Sequence, residues 1–285
     1  MKFKDEHKTF DGDNFFEKIE IPFEKTKEEI WENFSKNLLK KKAQKRKKFF
    51  SIFKMSVAAA IIFISGISYI LKFQKETIFS KKAEHISHKL PDGSIIELNA
   101  ETSISYNKIF WFFKREVFLK GEAFFEVKKG EKFKIFSDNG ITEILGTSFN
   151  IYARDDNYKV FCKTGKVKVL SRKTDIKLII NPNEIALLND KNKNGKIEKI
   201  KSENVLFWKE NKFNFNSENI VNVFKILERQ YNVNIKLEIP NSSEYIYTAY
   251  FKKPNSIENT LNLICKTFNL NFIKIKENQY KIYHK

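Results

Sequence analysis

The residues from Met55 to Leu71 constrain this chain most, because they form a run of 17 residues without a charge, MSVAAAIIFISGISYIL. As a helix rising about 1.5 Å per residue, the run would cover roughly 25 Å of a hydrocarbon core about 30 Å thick. A buried helix of a soluble domain would need a polar face, and a signal peptide would lie near the start of the chain. We therefore predict a single uncleaved transmembrane helix over residues 49–72.

Positive charge is concentrated on one side of this run. Residues 40–48 read KKKAQKRKK and hold seven positive side chains, whereas the lysines on the other side are diluted by Glu76 and Glu84. The positive-inside rule therefore places the N-terminus in the cytoplasm and the larger C-terminal region outside.

The net charge of +18 would also suit a nucleic-acid-binding protein. The charges are scattered along the chain, and no helix-turn-helix, zinc-finger or RNP pattern accompanies them. The basic run before the apolar segment is explained by contact with anionic lipid headgroups. We therefore expect no direct binding to nucleic acid.

Residues 1–39 carry a net charge of −3 and are too few to build a hydrophobic core. Thr26 and Glu29 have the spacing of a capping box, which predicts a helix from this point. Its apolar residues recur at helical spacing and form one stripe: Ile30, Trp31, Phe34 and Leu38. Such a stripe would bind a groove on a partner protein or lie on the membrane surface. The acidic polar face of the helix favours a protein partner, because anionic lipid would repel it.

The region outside is predicted to be mainly β, with an α+β domain at the C-terminus. Leu90-Pro91-Asp92-Gly93-Ser94 is typical of a tight turn, and alternating apolar and polar residues surround it. We predict a linker over residues 73–84 and a β-rich domain over 85–190, built as a sandwich, barrel or solenoid.

The last part of the chain changes character. Residues 213–285 predict the order β-α-β-β-α-β-β, with helices capped by Ser217 and Ser256 and packed on one sheet. The polar stretch from Asn189 to Glu203 predicts an exposed loop, so we place a linker at residues 191–212.

No pattern for catalysis, cofactor binding or metal binding emerges from the sequence. His85 and His88 lack a third ligand nearby. Glu122 and Glu126 on one strand would lie about 13 Å apart, too far for a glycosidase pair. Residues 190–195 imitate the start of a calcium loop, but a lysine stands where its final glutamate is required.

The two cysteines, Cys162 and Cys265, fall in different predicted domains. A disulfide needs Cα atoms within about 7 Å, which would be a coincidence across two domains. We predict two buried free thiols.

The outer residues form an ordered series that resembles the FecR family of anti-sigma factors over about residues 85–190. The matching segments are Leu90–Ser94 with Leu98-Asn99, Arg115–Leu119, Gly121–Val127, Leu145–Ile151, Gly165-Lys166-Val167 and Pro182-Asn183-Glu184. The tail from Phe213 resembles the C-terminal domain of FecR proteins of Bacteroidetes, which is similar to the short signalling domain of secretins and TonB-dependent receptors. Lys132 stands where the family usually has proline, and Asn183 stands where it usually has glycine.

The resemblance implies a mechanism. Residues 1–48 would hold an extracytoplasmic-function sigma factor at the bacterial inner membrane, with the stripe Ile30, Trp31, Phe34 and Leu38 at the family's sigma-binding position. The periplasmic domains would read the signalling domain of a loaded TonB-dependent outer-membrane transporter. A regulated intramembrane protease would be a further partner in freeing the sigma factor.

Two other functions remain open at the level of sequence. The chain could be a membrane-anchored periplasmic scaffold or energy-coupling protein without a cytoplasmic partner, or a tethered enzyme of the envelope. The apolar stripe argues against the scaffold, since an inert anchor would not need it, and the missing catalytic pattern argues against the enzyme.

Overall fold

A computed structural model describes residues 26–189 and 194–284, in two compact units that divide between Ser68 and Tyr69. The described part of the first unit belongs almost entirely to one helix, α1 (Lys27–Phe73), whose residues 69–73 are counted with the second unit. Its capping box is present as predicted: the Thr26 amide donates to Glu29 Oε2 and the Glu29 amide donates to Thr26 Oγ1, both at 3.3 Å. The predicted membrane span at residues 49–72 is not confirmed, since no helix among the described residues is long and apolar enough to cross a membrane.

The second unit begins with a 13-stranded β structure. Its strands are β1 (Glu76–Ser80), β2 (Ile86–Lys89), β3 (Ile95–Leu98), β4 (Thr102–Tyr106), β5 (Arg115–Glu126), β6 (Phe133–Phe136), β7 (Gly140–Ile144), β8 (Ser148–Arg154), β9 (Asn157–Thr164), β10 (Val167–Ser171), β11 (Lys177–Ile180), β12 (Glu184–Asn189) and β13 (Asn194–Lys199). The prediction of a mainly β region is therefore confirmed.

The long strand β5 joins two sheets. Its first half pairs with β4 and β6, and the strand order of that sheet is β11-β10-β7-β6-β5-β4-β1. Its second half pairs with β3 and β8, in the order β2-β3-β5-β8-β9-β12-β13. Only the β5–β6 pair among these described strands is parallel. Apolar side chains of both sheets, such as Val117, Ile135, Phe125 and Phe149, meet in one core, so the domain is a two-sheet β structure.

Gly121 lies at the point where β5 passes from one sheet to the other. Its φ is +115°, and a Cβ built there would lie 2.9 Å from the Cα of Thr102 on β4. Only glycine combines this backbone angle with so close an approach of two chains.

The turn predictions are confirmed at two places. The Gly93 amide donates to the Leu90 carbonyl at 2.8 Å, and Gly93 has a φ of +80°. Asn183, which stands where the family usually has glycine, has a φ of +63°, a conformation that asparagine tolerates better than most residues. Lys132, which stands where the family usually has proline, pairs with Glu143 at 3.0 Å.

Both predicted linkers contain a strand, so their boundaries were wrong. In the segment 73–84, β1 pairs with β4, and in the segment 191–212, β13 pairs with β12. β13 is mostly exposed and polar. Its pairing with β12 uses backbone hydrogen bonds, so its sequence does not show the alternation of apolar and polar residues that would have predicted a strand. Residues 190–193, which hold most of the calcium-like sequence, lie outside the described residues.

The C-terminal part follows the predicted order of elements. Its elements are β14 (Lys212–Asn219), α2 (Ile220–Tyr231), β15 (Asn234–Glu238), β16 (Ile246–Lys252), α3 (Ile257–Thr267), β17 (Leu270–Lys276) and β18 (Gln279–His284). They form two small sheets, β14-β16 and β15-β18-β17, rather than the single sheet expected. The two helices and both sheets share a second core that includes Phe215, Phe224, Leu261, Ile264 and Ile282.

One helix cap was predicted correctly and the other was not. The Asn259 amide donates to Ser256 Oγ at 3.2 Å, so Ser256 caps α3 as expected. For α2 the cap is Asn219, whose side chain accepts from the Val221 amide, whereas Ser217 lies in an irregular part of β14 with a φ of +48°. Serine and asparagine are both strong N-cap residues, and the bulge in β14 moves the helix start by two positions.

Candidate functional site: an exposed helix stripe and a polar domain junction

The predicted stripe lies on the first part of α1 and is open to solvent. Trp31 is 70% exposed and Phe34 53% exposed, and their ring centroids lie 6.0 Å apart. Because an α-helix turns about 100° per residue, Ile30, Trp31, Phe34 and Leu38 fall within about 100° of the circumference. The structure therefore brings all four predicted residues to one helix face.

The rest of this helix segment is stabilised locally. Lys36 Nζ lies 2.6 Å from Glu32 Oε1, an exposed ion pair with i,i+4 spacing. Leu39 is also 67% exposed, but it lies about 80° beyond the edge of the stripe. An isolated stripe of this kind buries its apolar surface only when another molecule covers it.

The apolar half of α1 is exposed on every side. Ile61, Ile62, Phe63 and Ile64 are consecutive, and each is more than 60% exposed. Four consecutive helical residues point around the whole circumference, so this segment has no polar face. The Ser65 hydroxyl donates to the Ile62 carbonyl at 2.9 Å, which satisfies a polar group within the helix itself.

A second candidate site lies in the unit 69–285, where the C-terminal elements meet the β-rich domain. Gln230, at the end of α2, donates through Nε2 to Asn99 Oδ1 at 2.7 Å, and both side chains are buried. The neighbouring Arg229 carbonyl accepts from the Ala83 amide at 2.7 Å, and the Gln230 carbonyl accepts from Lys253 Nζ at 2.7 Å. The bonds of Gln230 to Asn99 and of Arg229 to Ala83 join segments more than 100 residues apart in sequence, whereas the bond from Lys253 lies within the C-terminal part.

Glu122 organises the β-domain side of this junction. Its carboxylate accepts from Asn99 Nδ2 at 2.8 Å and from Asn150 Nδ2 at 3.0 Å. Glu122 is half-buried in this network, whereas Glu126, on the same strand, is exposed. Asn99 belongs to a segment that carries the family resemblance, but no sequence signal indicated its contact with Gln230, because that contact depends on how the two parts pack.

Two further contacts hold the junction together. Lys209 Nζ lies 2.7 Å from Glu97 Oε1 and 4.0 Å from the centroid of the Phe124 ring. His85 packs edge-on against Trp208, with 5.4 Å between ring centroids. A basic side chain and an aromatic ring from residues 207–210 thus contact the β-rich domain.

A cavity of about 1050 Å³ opens beside these contacts. Arg154 and Arg229 both line it, and burial together with the charge of Arg229 lowers the pKa of Arg154. Arg154 is held in place by the Ala100 and Glu101 carbonyls, to which it donates at 2.6 and 3.1 Å. The described lining combines carboxylates, amides and basic groups with aromatic and aliphatic side chains, which suits recognition of a partly polar ligand.

The remaining sequence candidates have structural partners. His88 Nε2 lies 3.0 Å from the Tyr106 hydroxyl, and desolvation lowers the pKa of His88. Within residues 26–189 and 194–284, no group of three or more possible ligands could hold a metal ion. Cys162 and Cys265 are both buried and free, as predicted.

The comparisons with known proteins agree with this architecture. A family model described as "FecR protein" matches residues 76–168, and one described as "FecR, C-terminal" matches residues 212–282. A crystal structure of a proposed anti-sigma factor from Parabacteroides distasonis is 30% identical, with a TM-score of 0.67, covering 74% of this chain and 99% of that one. The chain belongs to the FecR family.

A second crystal structure of a proposed anti-sigma factor from the same organism supports this assignment. It is 29% identical to the FecR-family chain, with a TM-score of 0.68, covering 74% of this chain and 100% of that one. Among curated proteins, none matches the chain. The first family match covers the β-rich domain from β1 to the start of β10, and the second covers the C-terminal elements from β14 into β18. The hydrogen bond between Asn99 and Gln230 therefore joins the two matched regions.

Proposed function

We propose that this FecR-family chain is an anti-sigma factor that binds an extracytoplasmic-function sigma factor through the exposed stripe of α1. The observation that carries the proposal is the stripe Ile30, Trp31, Phe34 and Leu38, which is apolar, exposed and supplied by a helix outside the folded body. The anti-sigma role of the two similar structures is the second support.

The same proposal places the chain at the bacterial inner membrane. The support is the sequence, in which an uncharged run follows seven basic residues at positions 40–48. The positive-inside rule then leaves the stripe in the cytoplasm and the FecR modules in the periplasm. Apolar exposure on all sides of residues 61–64 is compatible with a lipid environment.

The periplasmic modules are proposed to read the signalling domain of a TonB-dependent outer-membrane transporter. A regulated intramembrane protease is proposed to release the sigma factor after that contact. The chain itself acts by binding and not by catalysis. A protein–protein relay fits the polar junction between the modules, since polar, hydrogen-bonded interfaces are typical of domain contacts that transmit a change in partner binding.

The decisive test is capture of the sigma factor by the full-length protein in detergent, from a lysate of the source cell. The double substitution Trp31→Ala with Phe34→Ala removes two exposed rings and should weaken sigma binding by about 2–4 kcal/mol if they are hot-spot anchors. Affinity is measured with the purified sigma factor by calorimetry.

Leu39→Ala is the matched control, because Leu39 is an equally exposed apolar residue of the same helix outside the stripe. Its free energy of binding to the sigma factor should stay within about 0.5 kcal/mol of that of the unsubstituted protein. An equal loss of sigma-factor affinity in Leu39→Ala and in the double variant would reject the stripe as the binding face. Failure of the full-length protein to capture any sigma factor would favour the membrane-anchored periplasmic scaffold.

A further inference from the structure

The connection between β4 and β5 presents two phenylalanine side chains to solvent. Residues 107–114 read NKIFWFFK, and Phe112 and Phe113 are 80% and 83% exposed. Trp111, immediately before them, is fully buried and packs edge-on against Tyr106 and Phe133, with ring centroids 5.3 and 5.6 Å away. Burial of one ring thus fixes the next two outside the core.

The turn itself is closed by hydrogen bonds. Asn107 Oδ1 accepts from the amides of Ile109 and Phe110, both at 3.0 Å. The Phe110 carbonyl accepts from the amides of Phe113 and Lys114 at 3.0 and 2.9 Å. The exposed rings are therefore held outward by an ordered turn, and adjacent exposed apolar side chains of this kind mark interaction surfaces.

The position of this turn indicates what it contacts. Asn107 also donates through its side-chain Nδ2 to the Leu71 carbonyl at 2.9 Å, and Leu71 is the last residue of the uncharged run 55–71. Five residues of chain reach at most about 18 Å, so the Cα of Phe112 lies within that distance of the Cα of Asn107, the residue that contacts the end of the run. The headgroup region of a bilayer is about 5–8 Å thick on each side.

We propose that this aromatic turn, residues 108–114, inserts Phe112 and Phe113 into the periplasmic face of the membrane that α1 enters. The inference rests on the membrane anchoring given under the proposed function. Lys108 and Lys114 flank the rings. Lys108 is well exposed, with Glu76 Oε2 3.8 Å from its Nζ, so its ammonium group is open to anionic lipid headgroups as well as to that carboxylate. Aromatic residues beside basic ones are typical of segments that bind in the membrane interface.

Such a contact would give the periplasmic body a second point of attachment. A single helix leaves the body free to rotate about the chain, whereas an inserted turn beside the end of that helix fixes which face is turned to the membrane. The face available to a periplasmic partner would then be set by lipid contact as well as by the fold.

The test uses residues 69–285, tethered by an N-terminal histidine tag to vesicles of phosphatidylethanolamine, phosphatidylglycerol and a nickel-chelating lipid. This body has its own cores, and the solved relatives consist of a region equal to about three quarters of this chain, so it folds without the preceding helix. The tether holds the body at the vesicle in place of the proposed transmembrane helix. The experiment therefore tests whether the turn inserts into lipid even if the proposed membrane anchoring is wrong.

The reporter is Phe112→Trp, read by quenching with brominated phospholipids. We expect a blue shift on tethering and loss of the added fluorescence with brominated lipid. Leu263→Trp, at a half-exposed apolar position on α3, is the matched control and should be unaffected. Equal behaviour of the two reporters would overturn the proposal. A blue shift of Phe112→Trp that grows with protein concentration without lipid would overturn it as well, and would assign the rings to contact with a second copy.

The full-length protein in the same vesicles supplies the remaining comparison. Resistance to alkaline extraction with quenching of Phe112→Trp supports both anchoring and insertion of the turn. Resistance without quenching overturns the turn alone, and extraction of the full-length protein overturns the anchoring on which the proposal depends.

Discussion

Replacing Gly121 by alanine tests the claim that β5 can serve two sheets only because this position lacks a side chain. The φ of +115° is strained for any L-residue, and the added Cβ would lie 2.5 Å from Thr102 Oγ1 and 2.9 Å from Thr102 Cα. Thr102 is fully buried, and its hydroxyl donates to the Glu122 carbonyl and accepts from the Glu122 amide, both at 3.1 Å. The neighbour therefore cannot move away without breaking these bonds.

The magnitude follows from two terms. Backbone strain at such a position costs about 1–3 kcal/mol, and overpacking of a buried site costs about 1–3 kcal/mol more. For a body of this size each kcal/mol lowers the Tm by roughly 2–4 °C, so we expect a fall of about 10 °C. Circular dichroism of residues 69–285 during heating measures it.

Gly130→Ala is the matched control. The nearest atom to a Cβ at Gly130 is Arg115 Nη2 at 3.4 Å, an ordinary contact at the far end of a flexible side chain. Its Tm should change by no more than about 2 °C. If Gly121→Ala melts at the same temperature as Gly130→Ala, the corner of β5 does not need glycine and the reasoning is wrong.

Two further predictions concern ionisable groups. Burial alone would raise the pKa of Glu143, but hydrogen bonds from Lys168 and Lys132 lower it from 4.5 to about 2, so its contribution to stability is present above pH 4.5 and lost as the pH falls towards 2. The Glu143→Gln variant should therefore have a lower Tm than the unsubstituted protein at neutral pH, and its Tm should fall less between pH 4.5 and 2. Parallel curves of Tm against pH for the two proteins would contradict this. Burial raises the pKa of Cys162 and Cys265 to about 11, so neither thiol of the folded protein should react with a thiol reagent at pH 8, and both should react in denaturant. A Tm that falls on adding a reducing agent would instead indicate a disulfide.

Local chemistry explains which parts of the fold were predictable. The turn at Leu90–Ser94 combines proline, aspartate and glycine in the order that such a turn requires, and the strands around it alternate clearly. The capping box at Thr26 is a contact between residues three apart. Each of these features depends on neighbours in sequence and therefore leaves a readable pattern.

Features that depend on distant partners left no such pattern. β1 and β13 fall in the predicted linkers. Their pairing with β4 and β12 is made by backbone groups, which every residue has, so the side chains do not reveal it. Gln230 and Asn99 are 131 residues apart, and an isolated glutamine in a helix carries no sign of a buried partner. The run 110–113 is aromatic throughout, and only the packing decides that Trp111 is inside and that Phe112 and Phe113 are outside.

The apolar stripe stands between these cases. Its spacing places all four residues on one face of α1, as the sequence predicts. The proposed partner would be a separate molecule, and the sequence of this chain does not describe the surface that would receive the stripe.

The pairing of β1 also has a mechanical consequence. β1 is the first strand after α1, and it is joined to the described body by five residue pairs with β4, from Glu76 opposite Tyr106 to Ser80 opposite Thr102. A pull along the strand would load these pairs together, whereas a sideways pull at Glu76 would open them one after another. β1 is thus the first strand pairing that a pull transmitted through α1 would reach, and the direction of that pull sets how the five pairs share the load.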